Sequence, residues 1–323
     1  MRIALIGYGY WGPNLARNIG ALGHLYGICD NDRAKLESAK TIYEKKINYA
    51  SDYREFLELH EVDAVAISTP TEYSYEIAMA SLNAGKHVFI EKPISTTVER
   101  AENIKHAAEQ TGLIVHCDHI MVYNPVIRYI KRMIDDGVLG DLMYVDVSRV
   151  NLGPIRKDVN AMLDLAVHDI AVIDYLSGGK TPTTVLAMGK VLYGKQESLT
   201  FLTMEYDSFV AHIKSSWVSP QKERKTIIAG TKKMVVFDDV QINKLAVYDH
   251  GIEAIRGDVY GTFEYETRTG DILYPHIPYE DSLRNSVAHF VDCVALNRLS
   301  LSGPDSSLRV MKVLEAAQQN LGG

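Results

Sequence analysis

The sequence predicts an α/β protein in two parts, a parallel sheet flanked by helices and then a domain built on a largely antiparallel sheet. Three observations carry this. Apolar strand candidates alternate with amphipathic helical stretches through residues 1–120, the pattern of crossover units and a parallel sheet. Past residue 120 the alternation stops, and from residue 183 to about 267 one strand signal follows another, as in antiparallel pairs joined by short turns. The loop Gly7-x-Gly9-x-x-Gly12 stands between the first strand and the first helix, where a doubly wound sheet binds phosphates.

In the first span, strands are expected at 2–6, 25–29, 48–50, 64–68, 87–90 and 114–117. Helices are expected around 14–19, 33–43, 53–59, 72–83 and 98–111. Ser95-Thr96-Thr97 offers N-caps for the last helix, and Thr96 with Glu99 has capping-box spacing. Beyond it, a helix at 125–136 ends at Gly137 and a strand follows at 142–150. A long helix at 159–176 closes at Gly178-Gly179, and strands 198–206 and 209–216 turn at Asp207-Ser208. Helices return at 281–296 and 306–321. Domains are therefore expected at 1–120 and 121–323, with no internal repeat and no low-complexity linker.

The length, 323 residues, suits two cores better than one. Hydrophobic residues at 46% and charged residues at 23% describe an ordinary globular chain. A net charge of −7, from 34 basic and 41 acidic side chains, gives no basic footprint for nucleic acid. No apolar run approaches the ~18 residues of a membrane span, and Met1-Arg2 leads into an apolar run too short for a signal peptide. Cys29, Cys117 and Cys293 are odd in number and widely spaced, which predicts buried free thiols and no metal motif. The expectation is a cytoplasmic protein with no nucleic-acid partner, no membrane partner and no metal.

The glycine loop predicts a dinucleotide site. Gly7 permits the tight turn, Gly9 admits the pyrophosphate, and Gly12 brings helix and strand together. Pro13 suits the first turn of the next helix, whose amides and dipole hold phosphate. Asp30 ends the second strand 23 residues after Gly7. A carboxylate there accepts from the adenosine ribose diol and repels a 2′-phosphate, which favours NAD(H). Arg33 keeps NADP(H) open, and a helix N-cap is the alternative role for Asp30.

Four motifs occur in order: Gly7–Gly12 with Trp11, Ser68-Thr69-Pro70, Glu91-Lys92-Pro93, and Asp164-x-x-x-His168-Asp169. On these the sequence resembles, over nearly its whole length, the glucose–fructose oxidoreductase / inositol dehydrogenase / rhizopine-catabolism (Gfo/Idh/MocA) family. The segments Tyr8-Gly9-Tyr10-Trp11-Gly12-Pro13-Asn14 and Arg149-Val150-Asn151-Leu152-Gly153 look like its nucleotide-sugar 3-dehydrogenase type. The resemblance implies a Rossmann domain, a C-terminal α/β domain with an open, mostly antiparallel sheet, and a homodimer or homotetramer packed through that sheet. It implies cofactor contacts from Gly7, Gly9, Tyr10, Trp11, Gly12, Asp30, Asn31, Ser68, Thr69, Pro70, Glu91 and Lys92. Glu91 would meet the nicotinamide ribose and Lys92 the substrate. Where several relatives carry His, this chain has Ser74, so a contact made by that histidine is not expected here.

Carbinol oxidation needs a proton acceptor, a group that stabilises charge on oxygen, and a donor carbon held near the nicotinamide. Lys92 follows a strand at the carboxyl edge of the parallel sheet. Its ammonium can polarise the reacting oxygen, or its amine, with a lowered pKa, can accept a proton. Asp164 and His168 are four apart and share a helix face, with Asn160 one turn earlier on the same row. Apolar neighbours nearly surround this row, so it is paired or faces a cavity. A histidine titrates near neutrality and suits proton transfer. Lys92, Asp164 and His168 are the candidate catalytic residues. Asp169 points elsewhere and reads as structural.

His116 and His119 fall on opposite strand faces, which argues against a metal pair, with His119 at best lining the cleft between the domains. Tyr123, Asn151, Arg156 and Asn160 are candidate substrate contacts, Arg156 for a phosphate or carboxylate. The resulting expectation is an NAD-dependent dehydrogenase acting on a ring hydroxyl of a nucleotide-linked or free sugar. Two other readings stay open: glycoside cleavage through transient sugar oxidation by tightly held NAD, and a nucleotide-sensing protein without turnover.

Overall fold

The computed structural model describes residues 1–157, 159–254 and 265–321. The strand signal expected at 255–264 lies outside the described residues. The chain forms two compact units, Met1–Asn124 with Glu280–Lys312, and Pro125–Tyr279 with Val313–Gly323. These differ from the contiguous spans 1–120 and 121–323, because the segment 280–312 returns to the first unit.

The first unit opens with β1 (Ile3–Ile6), α1 (Gly12–Ala21), β2 (Leu25–Cys29), α2 (Arg33–Tyr43), β3 (Asn48–Ala50) and α3 (Arg54–Leu57). It continues with β4 (Ala64–Ile67), α4 (Thr71–Asn83), β5 (His87–Ile90), α5 (Val98–Thr111) and β6 (Val115–Cys117). The six strands run parallel in the order β3-β2-β1-β4-β5-β6. Every residue of β1 and β4 is buried, as strands covered on both faces require. Strand order reverses between β1 and β4, so the carboxyl ends of these strands border the crevice where such sheets bind ligands. The cap of α5 is Thr97, not Thr96. Its extended backbone lets the hydroxyl accept from Arg100 N at 3.2 Å, which puts Glu99 one position short of a capping box.

The second unit contains α6 (Pro125–Asp135), β7 (Leu142–Leu152), a π-helical turn Met162–Ala166, and α7 (Val167–Leu176). Seven more strands follow: β8 (Thr184–Lys190), β9 (Leu199–Glu205), β10 (Val210–Ser216), β11 (Val218–Gly230), β12 (Met234–Asp238), β13 (Leu245–Ala254) and β14 (Tyr265–Leu273). Their order is β14-β13-β12-β11-β7-β10-β9-β8. All neighbours pair antiparallel except β7 and β10, which run parallel. The hairpin of β9 and β10 turns at Asp207-Ser208, with Tyr206 N donating to Phe209 O at 2.9 Å. One sheet face buries Val145, Val147, Leu202, Met204, Ala211 and Ile213. The other carries the exposed side chains of Tyr144, Leu186 and Met188.

The chain then forms α8 (Ser282–Ala295), capped by Asp281, and α9 (Pro304–Leu321). On α8, Leu283, Val287, Phe290 and Cys293 make one apolar stripe. That stripe packs with Leu15, Ala16 and Ile19 of α1 and with Phe89 of β5, which ties this helix to the parallel sheet. Cys29, Cys117 and Cys293 are free and buried. Among the described residues no helix is long and apolar enough to cross a membrane.

Candidate active site

The glycine loop leaves β1 with Gly7 at φ +94°, a conformation that disfavours a side chain. A Cβ at Gly7 would lie 2.6 Å from Ser68 O, and one at Gly12 would lie 2.5 Å from Gly7 O. A Cβ at Gly9 would meet nothing within 4 Å. Two glycines therefore pack backbone on backbone, while the third faces the open space that a phosphate would enter. Asp30 is buried and accepts from Tyr8 N at 2.7 Å and Asp32 N at 2.9 Å. Lys35 Nζ lies 3.8 Å from the same carboxylate. Asp30 thus fastens the loop to the end of β2. It is not an N-cap, since Asp32 caps α2 through Ala34 N. Each Asp30 oxygen keeps an acceptor site for a ribose diol.

Trp11 Nε1 and Tyr8 OH are buried donors without an acceptor among the described residues. Orphaned donors beside a bare glycine backbone fit a ligand rich in acceptor oxygens, and NAD is such a ligand. Tyr10 and Asn31 are exposed at the rim of this loop. Beyond β4, Thr69 Oγ1 lies 3.0 Å from Ser74 Oγ, and Ser74 also reaches the carbonyls of Thr69 and Pro70 at 3.3 Å. Buried Ser74 therefore holds the Ser68–Pro70 turn against α4, and its small size belongs to that packing.

Past β5 the chain carries Glu91, Lys92 and a cis peptide bond to Pro93. Strands β5 and β6 pair through Ile90 and Cys117. Glu91 and Asp118 are therefore neighbours one step further, close enough for their carboxyls to interact. Burial is the main force that raises both acids well above the usual carboxylate range, and the Lys92 ammonium pulls both down. His119 is buried in the same place. Burial and Lys92 push its pKa down to about 4, so its imidazole is neutral. His116 is buried too and held neutral, between the stacked rings of Phe89 and Tyr123. Sequence reading singled out Glu91 and Lys92 but missed Asp118; the signal was its position at the carboxyl end of the neighbouring strand.

The second unit holds a separate constellation. Asp164 accepts from Arg156 Nη1 at 3.1 Å and from Trp217 Nε1 at 3.2 Å. It sits in the π-helical turn, and such turns recur at functional sites because they shift side chains out of α register. The expected helix at 159–176 thus begins only at Met162, and the row Asn160–Asp164–His168 is not continuous. Asn160 precedes the helix: its Oδ1 accepts from Leu163 N at 2.9 Å, and its Nδ2 donates to Glu197 and Gln318, each at 3.1 Å. With its amide committed and buried, Asn160 is a structural cap rather than a substrate contact. His168 is half-buried on α7.

Asp169 forms a buried bidentate pair with Arg149 of β7, at 2.6 and 2.5 Å. Arg224 of β11 lies in the same field, its pKa lowered by burial and by Arg149. Nothing in the local sequence pointed to Trp217 or Arg224, which arrive through sheet pairing. Asn151 is half-buried at the end of β7 and Arg156 is exposed. Tyr123 is buried in the first unit, its ring against His116 and His289. Its ring packs there between those two imidazoles.

Two family models match the chain. An oxidoreductase-family NAD-binding Rossmann fold covers residues 1–119, and a GFO/IDH/MocA C-terminal domain covers 127–236. The chain belongs to the GFO/IDH/MocA family. It is an NAD-dependent oxidoreductase of that family. The UDP-N-acetylglucosamine 3-dehydrogenase of Acidithiobacillus ferrooxidans is 27% identical over 259 residues, 80% of each chain. A solved structure of that protein superposes with a TM-score of 0.83 at 23% identity, covering 99% of this chain and 97% of that one. The scyllo-inositol 2-dehydrogenase (NAD(+)) of Bacillus subtilis is 28% identical over 236 residues, 68% of each chain.

Proposed function

We propose that this family member transfers hydride between a ring hydroxyl of a sugar, preferentially a nucleotide-linked one, and nicotinamide. The observation that carries this is Lys92, placed at the carboxyl end of β5 against two buried carboxyls and a neutral histidine. A cation held there is suited to a carbinol oxygen that gains negative charge as its hydrogen leaves. The glycine loop with Asp30 and Trp11 holds the dinucleotide, and Glu91 meets its nicotinamide ribose. NAD+, when bound, supplies the hydride acceptor. As a neutral amine Lys92 orients the hydroxyl and takes its proton, and so becomes the cation that faces the charge on oxygen.

In the second unit His168 contacts the sugar, while Asp164 fixes Arg156 and Trp217. Arg156, exposed beside Asp164, recognises the phosphate of a nucleotide sugar, and Asn151 contacts its sugar. The names of the Acidithiobacillus and Bacillus relatives support a ring-hydroxyl substrate. The exposed apolar side chains of Leu186 and Met188 on β8 support assembly as a homodimer or homotetramer, which sedimentation tests directly.

The functional test is NADH absorbance during a screen of UDP-sugars, free hexoses and inositols. Stoichiometric NADH from a UDP-sugar supports the reading. Sugar turnover without net NADH replaces it with glycoside cleavage by transient oxidation. Tight NAD binding without turnover of any sugar replaces it with nucleotide sensing.

A further inference from the structure

We propose that Glu91, Asp118, Ser286, His116 and Ser300 form a proton wire that joins Lys92 to solvent. The inference rests on the reading above, in which Lys92 receives the hydroxyl proton, and it adds the route by which that proton leaves.

The links from Asp118 outward are hydrogen bonds. Ser286 Oγ donates to Asp118 Oδ1 at 2.6 Å, and His116 Nε2 lies 2.9 Å from Ser286 Oγ. His116 Nδ1 lies 2.9 Å from Ser300 Oγ. Each imidazole nitrogen thus meets one serine hydroxyl, and a hydroxyl can donate or accept. The inner end of the chain is the carboxyl pair. Among the described residues no other group donates to Glu91 Oε1 or Asp118 Oδ2, although both atoms are buried. Two carboxyls that face each other through oxygens without another donor are stable when they share a proton. The outer end is Ser300, half-buried, which lines a surface cavity of about 350 Å³ together with Lys105, Glu109, Arg298 and Asp305.

The step balances. Oxidation converts CH–OH and NAD+ to C=O, NADH and one proton. Lys92 takes that proton as its amine becomes ammonium, then passes it to the carboxyl pair. Once protonated, Asp118 becomes the donor to Ser286, the Ser286 hydroxyl turns to His116 Nε2, and its hydrogen passes there as Asp118 supplies another. The Nδ1 proton goes to Ser300, and the Ser300 proton goes to water in the cavity. His116 begins protonated on Nδ1 and ends protonated on Nε2, with no change in charge. Reduction runs the chain backwards. The ionisable groups facing the wire are Lys92, His119 and Cys117 from the ends of β5 and β6, Tyr123 beyond them, and Asp281 and His289 from α8.

The test compares proton release, read with an indicator dye, with NADH formation in a single turnover. In the wild-type enzyme the two signals rise together. In Ser300→Ala and His116→Phe, proton release should lag NADH by about tenfold or more, the scale of one positioned proton transfer. Adding imidazole buffer should shorten the lag in Ser300→Ala, which a merely structural role would not produce. His116→Phe keeps an aromatic ring between Phe89 and Tyr123, and Ser300→Ala alters only the outer end. Proton release that keeps pace with NADH in both variants overturns the wire.

A second readout needs no turnover. Infrared spectra at neutral pH should show a protonated carboxyl band that is lost in Asp118→Asn and exchanges with deuterium more slowly in His116→Phe. A wild-type protein without that band, or with exchange unchanged in His116→Phe, overturns the wire. If no sugar yields NADH, the functional reading fails, and the infrared experiment still decides the wire.

Discussion

The two constellations treat their carboxylates in opposite ways. Around Glu91 and Asp118 the first unit supplies burial and few donors, so both acids are driven toward the protonated form. Around Asp164 and Asp169 the second unit supplies Arg156, Trp217 and Arg149, so the acids are held by charge-assisted hydrogen bonds. The contrast separates two tasks. A group that must change protonation state is left in a dry place with its options open. A group that must keep other side chains in place is tied to cations.

Substitutions sharpen this contrast. Asp169→Ala strands the buried Arg149 guanidinium, and breaking such a pair costs about 3–5 kcal/mol. Urea denaturation should show that loss. Asp164→Asn, which keeps an acceptor for Trp217, should lose about 1 kcal/mol in the same assay. Equal losses would mean that the two acids do not differ in role.

Lys92→Ala should lower kcat about a thousandfold, within the range of positioned acid–base catalysis. NAD affinity, followed by fluorescence titration, should change little. A variant that keeps most of its rate would remove Lys92 from the chemistry.

His119 is neutral in the native protein because burial and Lys92 lower its pKa to about 4, from an ordinary value of 6.5. The native form therefore disfavours the proton that the unfolded chain accepts. That contribution to stability is fully present above pH 6.5 and is lost as pH falls toward 4. His119→Gln should flatten the acid-side stability loss by about 3 kcal/mol. A pH–stability curve unchanged from wild type would contradict the burial argument.

The smallest effect separates the glycines. Gly9→Ala adds a methyl to open space, so the melting temperature should stay within about 1 °C, while NAD binding weakens about tenfold, the price of about 1.4 kcal/mol. Gly12→Ala, whose Cβ would press on Gly7 O, should lose both stability and NAD. A Gly9→Ala protein with full affinity would show that the pyrophosphate does not approach there.

Much of this molecule was legible in one dimension. Strands β2, β3 and β5 and helices α2 and α5 fall where apolar periodicity places them. The reason is that a strand buried on both faces and a helix with one apolar stripe leave their period in the residue order. The glycine loop, Asp30 and Glu91-Lys92 were legible for the same reason: each depends on a strand end and the few residues after it. The partners were not. Asp118 meets Glu91 through the register of β5 and β6, and Ser286 and Ser300 come from more than 160 residues away. Trp217 reaches Asp164 from the end of a sheet strand.

The sequence by itself thus determined the parallel sheet, the cofactor loop and the candidate lysine, because local period and spacing encode them. Tertiary structure alone decided that 280–312 packs with the first unit, that Asn160 is a cap, and that Glu91 has a carboxyl for a neighbour. Those facts are set by strand register and by which apolar stripe finds which partner, and no local pattern records either.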